Sequence, residues 1–445
     1  MNNLFFIEQS FFSGEFSFAK TFSRKRMSLI AVISSASLLL SGCAGSNAIT
    51  GESFPEFTTI HMETTTQQPS TVQLAEATTD KEETSAETTP ETTEAETTHA
   101  ESKVDKLLAS MTTYEKVCQM FIVTQEQITG VGQVTQSGEM TKNAIGKYPV
   151  GGIIYFSPNI QNTAQVKSMI SNIQSYSTIP LFIAVDEEGG QISRIANCAS
   201  MGTTSFPSMS SITDKDSAYN VGLTIGKEIK EFGFNLDFAP VADVNSNPDN
   251  PVIGERAFSS NPNTVAEMVS SCVKGFNKSG MLCTLKHFPG HGDTQTDSHL
   301  DVARTDKTLQ ELEECELIPF VSGIEAGASF VMVGHINAPE LSGENIPAEF
   351  SKYIVTDLLR SKLNFNGLII TDSMQMKAIA DLYSSSEAAV NVVKAGVDVI
   401  LTPVNLEEAI NGIITAVESG DISSDRIDES VRRILQVKYD AGILE

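Results

Sequence analysis

The chain has 445 residues, 40% of them hydrophobic, which is enough for two or three average domains or for one large barrel with additions. Its formal net charge is −26, but residues 51–100 carry eleven Asp or Glu against the single Lys81, so this segment contributes about −10 of that charge. The remainder is moderately acidic and shows no basic, aromatic stripe, and we therefore expect no nucleic-acid partner.

The N-terminal segment reads as an export signal. Arg24-Lys25-Arg26 precedes the apolar run Leu29–Leu40, which is shorter than the roughly 20 residues of a membrane-spanning helix. The Leu-Ser-Gly-Cys ending at Cys43 resembles the bacterial lipobox, which implies cleavage before Cys43 and lipidation of its thiol. An ordinary cleaved signal with an incidental cysteine is the alternative. Met27 would serve as the initiator as well as Met1.

Residues 44–101 are rich in Thr, Glu, Ser and Ala, with repeated Glu-Thr-Thr units and few large apolar side chains. Such a composition cannot offset the entropy lost on folding, and its charge favours an extended chain. We therefore predict three segments: a signal at 1–43, a disordered linker at 44–101, and a folded domain at 102–445. With a lipid on Cys43, the linker would tether the domain to the extracellular face of a bacterial membrane.

From residue 102 onward, apolar β-rich runs alternate with amphipathic helical stretches. This pattern is typical of parallel strands buried on both faces, and eight such strands close a (β/α)₈ barrel. A doubly wound open sheet is the competitor, although no GxGxxG motif opens a helix. The eight runs are Val117–Val123, Gly152–Phe156, Leu181–Val185, Asn235–Pro240, Met281–Lys286, Ser329–Val333, Gly367–Thr371 and Val397–Thr402, and the clearest helical stretches are Ala218–Phe232, Thr264–Lys278, Leu309–Ala326 and Leu406–Ser419.

Four of the apolar runs end directly in polar residues. Asp186 follows the third run, Lys286-His287 ends the fifth, His335 follows the sixth, and Asp372 follows the seventh. The C-terminal ends of barrel strands meet at one mouth, where active sites are built. The sequence therefore predicts a functional site there.

The loop that follows the fifth run contains His287, His291 and His299 together with Asp293, Asp297 and Asp301. A metal site is one interpretation, but Pro289, Gly290 and Gly292 forbid the helix on which i,i+4 ligand spacing relies. Acid/base chemistry is the second, because the Asp297 carboxylate could orient the His299 imidazole for proton exchange with a substrate. A surface loop with incidental histidines is the third.

Asp372 is the candidate nucleophile. A carboxylate at a strand end is well placed to attack an anomeric carbon, but Asp is also a favoured helix N-cap, and the residues alone do not separate these roles. The cysteines form no CxxC pair, so zinc and thioredoxin-like sites are not predicted. We expect free thiols at the five cysteines after Cys43, with a disulfide as the alternative in an exported protein.

Taken together, these motifs resemble the family 3 glycoside hydrolases, and within them the β-N-acetylglucosaminidases. The resemblance implies that Asp372 is the nucleophile, His299 the general acid/base and Asp297 its orienting partner. It also implies that Asp186, Arg194, Arg256, Lys286 and His287 bind the non-reducing-end sugar. The matching segments are DEEGGQISR (186–194), DFAPVADV (237–244), GERAFSSNP (254–262), KHFPGHGDTQTDSH (286–299), VMVGHI (331–336) and GLIITDSMQM (367–376).

The resemblance implies a retaining exo-hydrolase that removes terminal β-linked N-acetylglucosamine. We expect a monomer that needs no cofactor or metal, and for an enzyme tethered to a bacterial surface we expect peptidoglycan fragments as substrate. Ser373-Met374 departs from the Asp-Leu usual in the family, and Ala257-Phe258-Ser259 from Ser-Phe-Gly. We expect the site to be complete within one barrel. The alternatives are a phosphorylase, a β-glucosidase or β-xylosidase of the same fold, and a non-catalytic sugar-binding lipoprotein.

Overall fold

The computed structural model describes residues 102–294 and 302–445. Eight short strands in this part of the chain form one parallel sheet. They are β1 Phe121–Thr124, β2 Gly152–Ile154, β3 Phe182–Val185, β4 Leu236–Asp237, β5 Leu282–Phe288, β6 Phe330–Val333, β7 Leu368–Thr371 and β8 Ile400–Leu401.

The strand order shows a closed barrel. The hydrogen-bonded order is β7-β6-β5-β4-β3-β2-β1-β8, and every pair is parallel. The two ends of that order also meet, because Ile370 forms a parallel bridge with Val399 and the Thr371 amide donates to the Val399 carbonyl. The predicted (β/α)₈ barrel is confirmed, and the open-sheet alternative is wrong.

Helices surround the barrel. They are α1 Lys103–Ser110, α2 Thr113–Gln119, α3 Gln125–Thr129, α4 Glu139–Lys147, α5 Thr163–Tyr176, α6 Lys215–Lys230, α7 Pro262–Ser279, α8 Leu309–Glu314, α9 Leu317–Glu325, α10 Pro339–Ser342, α11 Lys377–Ala380, α12 Ser385–Ala395, α13 Leu406–Glu418 and α14 Ser424–Asp440, with a π-helix at Tyr353–Lys362.

Several predicted bounds differ from the structure by up to three residues, and two differences are larger. The first apolar run begins as the end of helix α2, so only its second half becomes strand β1. The stretch Leu309–Ala326 is two helices, because Cys315 has φ −140° and ψ −82° and breaks the helical path between them. A continuous apolar periodicity does not reveal such a break, since buried apolar residues stand on both sides of it, Leu312 before and Leu317 and Phe320 after.

The core lies inside the barrel and between its strands and helices. Phe182 of β3 and Phe330 of β6 meet edge to face, with ring centroids 5.4 Å apart. Lys438 of α14 is fully buried beside them, with its ammonium 4.9 Å from the Phe182 ring and 2.9 Å from the Gln119 side-chain oxygen. The Lys438 amine therefore lies in the core with the Gln119 oxygen as a hydrogen-bond acceptor, and burial there disfavours its charged form.

The described cysteines are all free thiols. Cys118, Cys272 and Cys283 are buried, while Cys198 and Cys315 are half-buried. Within residues 102–294 and 302–445, no helix is long and apolar enough to cross a membrane. The predicted signal (1–43), its Cys43 and the linker (44–101) lie outside the described residues.

Candidate active site

A cavity of about 400 Å³ opens at the mouth of the barrel, at the C-terminal ends of the strands. It is lined by the six described residues to which the family resemblance assigns a role: Asp186, Arg194, Arg256, Lys286, His287 and Asp372. They are contributed by widely separated parts of the chain, which only the barrel brings together. Glu188, His291 and the exposed Lys377 add further polar groups to the wall.

Glu188 is the electrostatic centre of one wall. Its carboxylate accepts from Arg256 at two points, Nε at 2.9 Å and Nη2 at 2.8 Å, and from Lys286 Nζ at 2.6 Å. Burial by itself would raise the pKa of Glu188, but the charges of Arg256 and Lys286 outweigh it and hold that pKa well below its ordinary value. Glu188 is therefore a permanently charged anchor for two cationic side chains.

Lys286 also binds Asp186, with Nζ 2.8 Å from Oδ1. Burial would lower the pKa of Lys286, yet the carboxylates of Asp186 and Glu188 raise it above its ordinary value, so the ammonium stays charged. Asp186 keeps an edge at the cavity, since its side chain is 16% exposed. A carboxylate held by a lysine beside an open cavity is a typical acceptor for sugar hydroxyl groups.

Arg194 is carried by a hairpin next to Asp186. Its two short strands are Glu187–Gly189 and Ile192–Ser193. The buried Glu187 carboxylate accepts from the backbone amides of Ile195 at 2.7 Å and Ala196 at 3.1 Å, which secures the hairpin. Arg194 Nε is buried without a hydrogen-bond partner among the described residues, so it is a donor left for a ligand.

His287 is oriented by Asp243. The fully buried Asp243 carboxylate lies 2.7 Å from His287 Nδ1 and also accepts from the backbone amide of His291 at 2.7 Å. If Nδ1 donates to Asp243, the other ring nitrogen, Nε2, remains for the cavity that His287 lines. The side chain of His291 is 2.7 Å from the Thr294 hydroxyl, and burial, together with the charge of His287, lowers the pKa of His291.

Asp372 follows strand β7 directly. Its backbone amide donates to the Val333 carbonyl at 3.0 Å, and its Oδ1 accepts from the Ser373 amide at 2.7 Å. The next helix, α11, begins only at Lys377, with Met376 as the cap residue. Asp372 is therefore not the N-cap of that helix, which removes the structural alternative to a functional role.

A buried histidine and glutamate lie behind this turn. His335 follows strand β6, and its side chain and that of Glu349 are both fully buried. His335 Nδ1 is 2.5 Å from Glu349 Oε1, and Nε2 is 2.8 Å from the Ser373 carbonyl oxygen. This pair contacts the backbone that carries Asp372.

The loop after β5 needs its glycines. Gly290 has φ +132°, and a Cβ there would lie 2.6 Å from Glu316 Cγ. A Cβ on Gly292 would lie 1.7 Å from the Val244 carbonyl oxygen, so no other residue fits. Asp297 and His299 lie outside the described residues. Within the described ranges, no three His, Cys, Asp or Glu side chains are grouped to hold a metal ion.

Sequence reasoning did not assign roles to Glu188, Asp243, His335 or Glu349. The first three stand inside the motifs quoted above, but Asp243 and His287 are 44 residues apart and Glu188 and Arg256 are 68 apart. No local spacing reports such a pairing. The only signal in the sequence was a charged residue inside a motif with no assigned role, because charged residues are almost never fully buried unless they are paired.

Comparison with known proteins identifies the family. The chain matches the glycosyl hydrolase family 3 N-terminal domain over residues 112–437. It is 36% identical over 322 residues to β-hexosaminidase A of Pseudoalteromonas piscicida, covering 66% of this chain and 54% of the relative. A β-hexosaminidase of Idiomarina loihiensis is 36% identical over 267 residues, or 58% of this chain and 78% of the relative.

A solved structure supports the same assignment. The family 3 β-N-acetylglucosaminidase from Paenibacillus sp. matches with a TM-score of 0.70 and 35% identity, over 75% of this chain and 63% of that one. The chain thus spans about half the length of the Pseudoalteromonas relative and under two thirds of the Paenibacillus protein. The family domain covers most of the barrel and its mouth, and the chain belongs to glycoside hydrolase family 3.

Proposed function

We propose that this protein is a retaining exo-β-N-acetylglucosaminidase that releases terminal N-acetylglucosamine from β-linked glycans. The observation that carries the proposal is that Asp372 lines the same cavity as Asp186, Arg194, Lys286 and His287. The names of the similar proteins, β-hexosaminidase and β-N-acetylglucosaminidase, support the same substrate class.

In the first step, Asp372 attacks the anomeric carbon and forms a glycosyl-enzyme ester, while His299 protonates the departing glycosidic oxygen. In the second step, His299 removes a proton from water, which attacks the same carbon and frees Asp372. Asp297 orients His299 throughout. Asp297 and His299 belong to the loop outside the described residues, so their roles rest on the DSH motif.

The other cavity residues hold the sugar ring. Asp186 accepts hydrogen bonds from ring hydroxyls, and Arg194 Nε, which has no partner among the described residues, donates to the sugar. Lys286 and Arg256 are fixed by Glu188, so they present oriented positive charge without reorganising during the reaction. His287, oriented by Asp243, contributes a further polar contact.

We further propose that the enzyme acts as a monomer on peptidoglycan fragments at the outer face of a bacterial membrane, anchored by a lipid on Cys43. The support is the signal-like segment 1–43 and the acidic linker 44–101. Metabolic labelling with a palmitate analogue tests the anchor. Label must enter the wild-type chain and be lost in Cys43→Ala; equal labelling of both would refute the anchor without touching the catalytic proposal.

A phosphorylase is the second candidate, because a neutral imidazole at His299 repels an anionic acceptor less than a carboxylate would. The two activities differ in the acceptor of the glycosyl group, which is water for a hydrolase and phosphate for a phosphorylase. Incubation of 4-nitrophenyl N-acetyl-β-glucosaminide with and without phosphate should give N-acetylglucosamine in both cases. Faster turnover with phosphate and formation of N-acetylglucosamine 1-phosphate would favour the phosphorylase.

The decisive experiment compares wild-type protein with Asp372→Ala on that substrate, on GlcNAc–MurNAc fragments and on a panel of nitrophenyl glycosides. We expect release of the β-anomer first, observed by proton NMR, and a loss of at least about 10³-fold on removing the nucleophile. Intact activity in Asp372→Ala would refute the mechanism. Preference for glucosides or xylosides would refute the substrate, and inactivity of the wild-type protein on every substrate would favour a sugar-binding lipoprotein.

A further inference from the structure

His335 and Glu349 form a fully buried pair behind the backbone turn that carries Asp372. His335 lies just after strand β6, the neighbour of β7 in the barrel. Glu349 belongs to a short helical turn, Ala348–Phe350, in the segment between strand β6 and the π-helix. Neither side chain lines the cavity, so neither contacts a substrate there.

The hydrogen bonds of His335 constrain its protons. The partner of Nε2 is the Ser373 carbonyl oxygen at 2.8 Å, which can only accept, so Nε2 carries a proton. The partner of Nδ1 is the Glu349 carboxyl at 2.5 Å. Either Nδ1 also carries a proton and the pair is imidazolium and carboxylate, or Glu349 carries it and both groups are neutral.

We propose that His335 is a positioning residue for the nucleophile: with Glu349 as its counter-ion, it holds the Ser373 carbonyl and places a buried positive charge behind the Asp372 carboxylate. This rests on the proposed role of Asp372. The charge favours the ionised form of Asp372, which is the form that attacks the sugar.

The surroundings support the charged form. Burial alone would lower the pKa of His335, but the negative charges of Glu349 and Asp372, together with the hydrogen bonds to Glu349 and Ser373, raise it to about 9. The interaction between two charges is mutual, so an imidazolium that is stabilised by Asp372 stabilises the Asp372 carboxylate equally. Among the described residues, His291 also interacts with Asp372, and Tyr383 lies near Glu349.

The opposite side of the turn is held by neutral groups. The Ser373 hydroxyl lies 2.7 Å from the Thr402 hydroxyl, and the Ser373 amide donates to Asp372 itself. Lys286 and Arg256, two cations of the cavity wall, are bound to Asp186 and Glu188, and Arg194 and Lys377 line the same cavity. His335 thus contacts the backbone beside the nucleophile Asp372, and it does not line the cavity in which the sugar would bind.

Two substitutions separate the charge from the hydrogen bond. In Glu349→Gln, a neutral imidazole can accept from the Gln amide at Nδ1 and still donate from Nε2 to the Ser373 carbonyl, so the support remains and the charge is lost. His335→Leu removes both, because the leucine side chain has neither a charge nor a hydrogen-bond donor. Ser373→Ala is the matched control, because it removes the hydroxyl contact with Thr402 and leaves the carbonyl and the charge in place.

The kinetic test uses a 2,4-dinitrophenyl N-acetyl-β-glucosaminide, whose leaving group needs no acid, so that the rate reports on Asp372. In Glu349→Gln we expect the acidic limb of the kcat/KM profile to move up by about one pH unit, with KM little changed. His335→Leu should show this shift and a further loss in kcat/KM of roughly 10-fold, since kcat/KM reports the step in which Asp372 attacks the sugar. Ser373→Ala should keep the wild-type limb. An unmoved limb in Glu349→Gln would refute the electrostatic role.

A second measurement needs no catalysis, so it applies even if the substrate is misassigned. In ¹⁵N-histidine-labelled wild-type protein, the His335 signals, assigned by their absence in His335→Leu, should show both ring nitrogens protonated at pH 7. In Asp372→Asn, an isosteric change, the pKa of His335 should fall by about half a unit or more. A singly protonated His335 at pH 7, or one whose titration ignores Asp372→Asn, would overturn the proposal while leaving the proposed reaction untouched.

Discussion

Replacing Glu188 by glutamine tests the idea that one buried carboxylate holds the cationic wall of the site. The substitution keeps the shape of the side chain but removes the charge that Arg256 and Lys286 share. Removing one partner of a buried ion pair lowers the free energy of unfolding by about 3 to 5 kcal/mol, because the remaining charge is left uncompensated. Asp186 still faces Lys286, so we expect the lower end, about 3 kcal/mol at pH 7.

The pH dependence sharpens this prediction. The folded pKa of Glu188 lies well below its ordinary value of 4.5, so its contribution is complete above pH 4.5 and is lost as the pH falls toward the folded pKa. At pH 3 the unfolded chain already binds this proton, and the folded protein does not. The stability gap between wild type and Glu188→Gln should therefore narrow by about 2 kcal/mol between pH 7 and pH 3.

Urea unfolding of both proteins, followed by circular dichroism at several pH values, measures this gap, with equal m-values as the test that the comparison is sound. Glu255→Gln is the control, because it makes the same chemical change beside Arg256 on an exposed side chain and should cost less than about 0.5 kcal/mol. A Glu188→Gln protein as stable as this control, or a gap independent of pH, would show that the cluster does not depend on the carboxylate. Activity should fall with the loss of oriented Arg256 and Lys286.

Three further outcomes follow from the structure. Asp243→Asn should lower kcat/KM for the nitrophenyl substrate by roughly 10- to 100-fold, since the buried partner of His287 loses its charge; unchanged steady-state kinetics would contradict the orienting role. Lys438→Met should remove a pH dependence of the unfolding free energy. Burial lowers the pKa of Lys438 in the folded protein to about 7, so between pH 7 and 10.5 only the unfolded chain binds the proton. The stability of the wild-type protein should therefore rise by up to about 5 kcal/mol across that window. The difference in unfolding free energy between the two proteins across that window should show it, and a constant difference would mean that Lys438 stays charged. Gly292→Ala should destabilise the fold by about 2 kcal/mol or more, because its Cβ would lie 1.7 Å from the Val244 carbonyl oxygen. The control is Gly146→Ala in helix α4, which has nothing within 4 Å of its Cβ and should be neutral or stabilising. Thermal unfolding of both variants tests this, and a Gly292→Ala protein as stable as wild type would show that the loop can move away.

The fold was predictable because its signal is local and repeated. Each apolar run is long enough to mark a buried parallel strand, and the order of runs and helices admits few topologies other than a barrel. The bounds were less predictable, as the split of Leu309–Ala326 into α8 and α9 shows. There the apolar period continues through the break at Cys315, and only the backbone angles mark it.

The predicted site residues also differ in how much the sequence alone could determine. Asp186, Lys286 and Asp372 stand at strand ends, and barrel geometry alone brings such positions to one mouth. Asp372 alone was as consistent with a helix cap as with a nucleophile. The structure removes the cap, because helix α11 begins five residues later. The roles of Asp297 and His299 continue to rest on their motif.

The amino-acid sequence by itself thus determined the parallel barrel, the edge of the barrel at which polar groups gather, and the family motifs. These are properties of periodicity and order along the chain. Tertiary structure alone decided which charges pair: Glu188 with Arg256 and Lys286, Asp243 with His287, and Glu349 with His335 behind Asp372. The reason is physical, since a buried charge is stable only beside its partner, and folding brings together partners that the sequence keeps far apart.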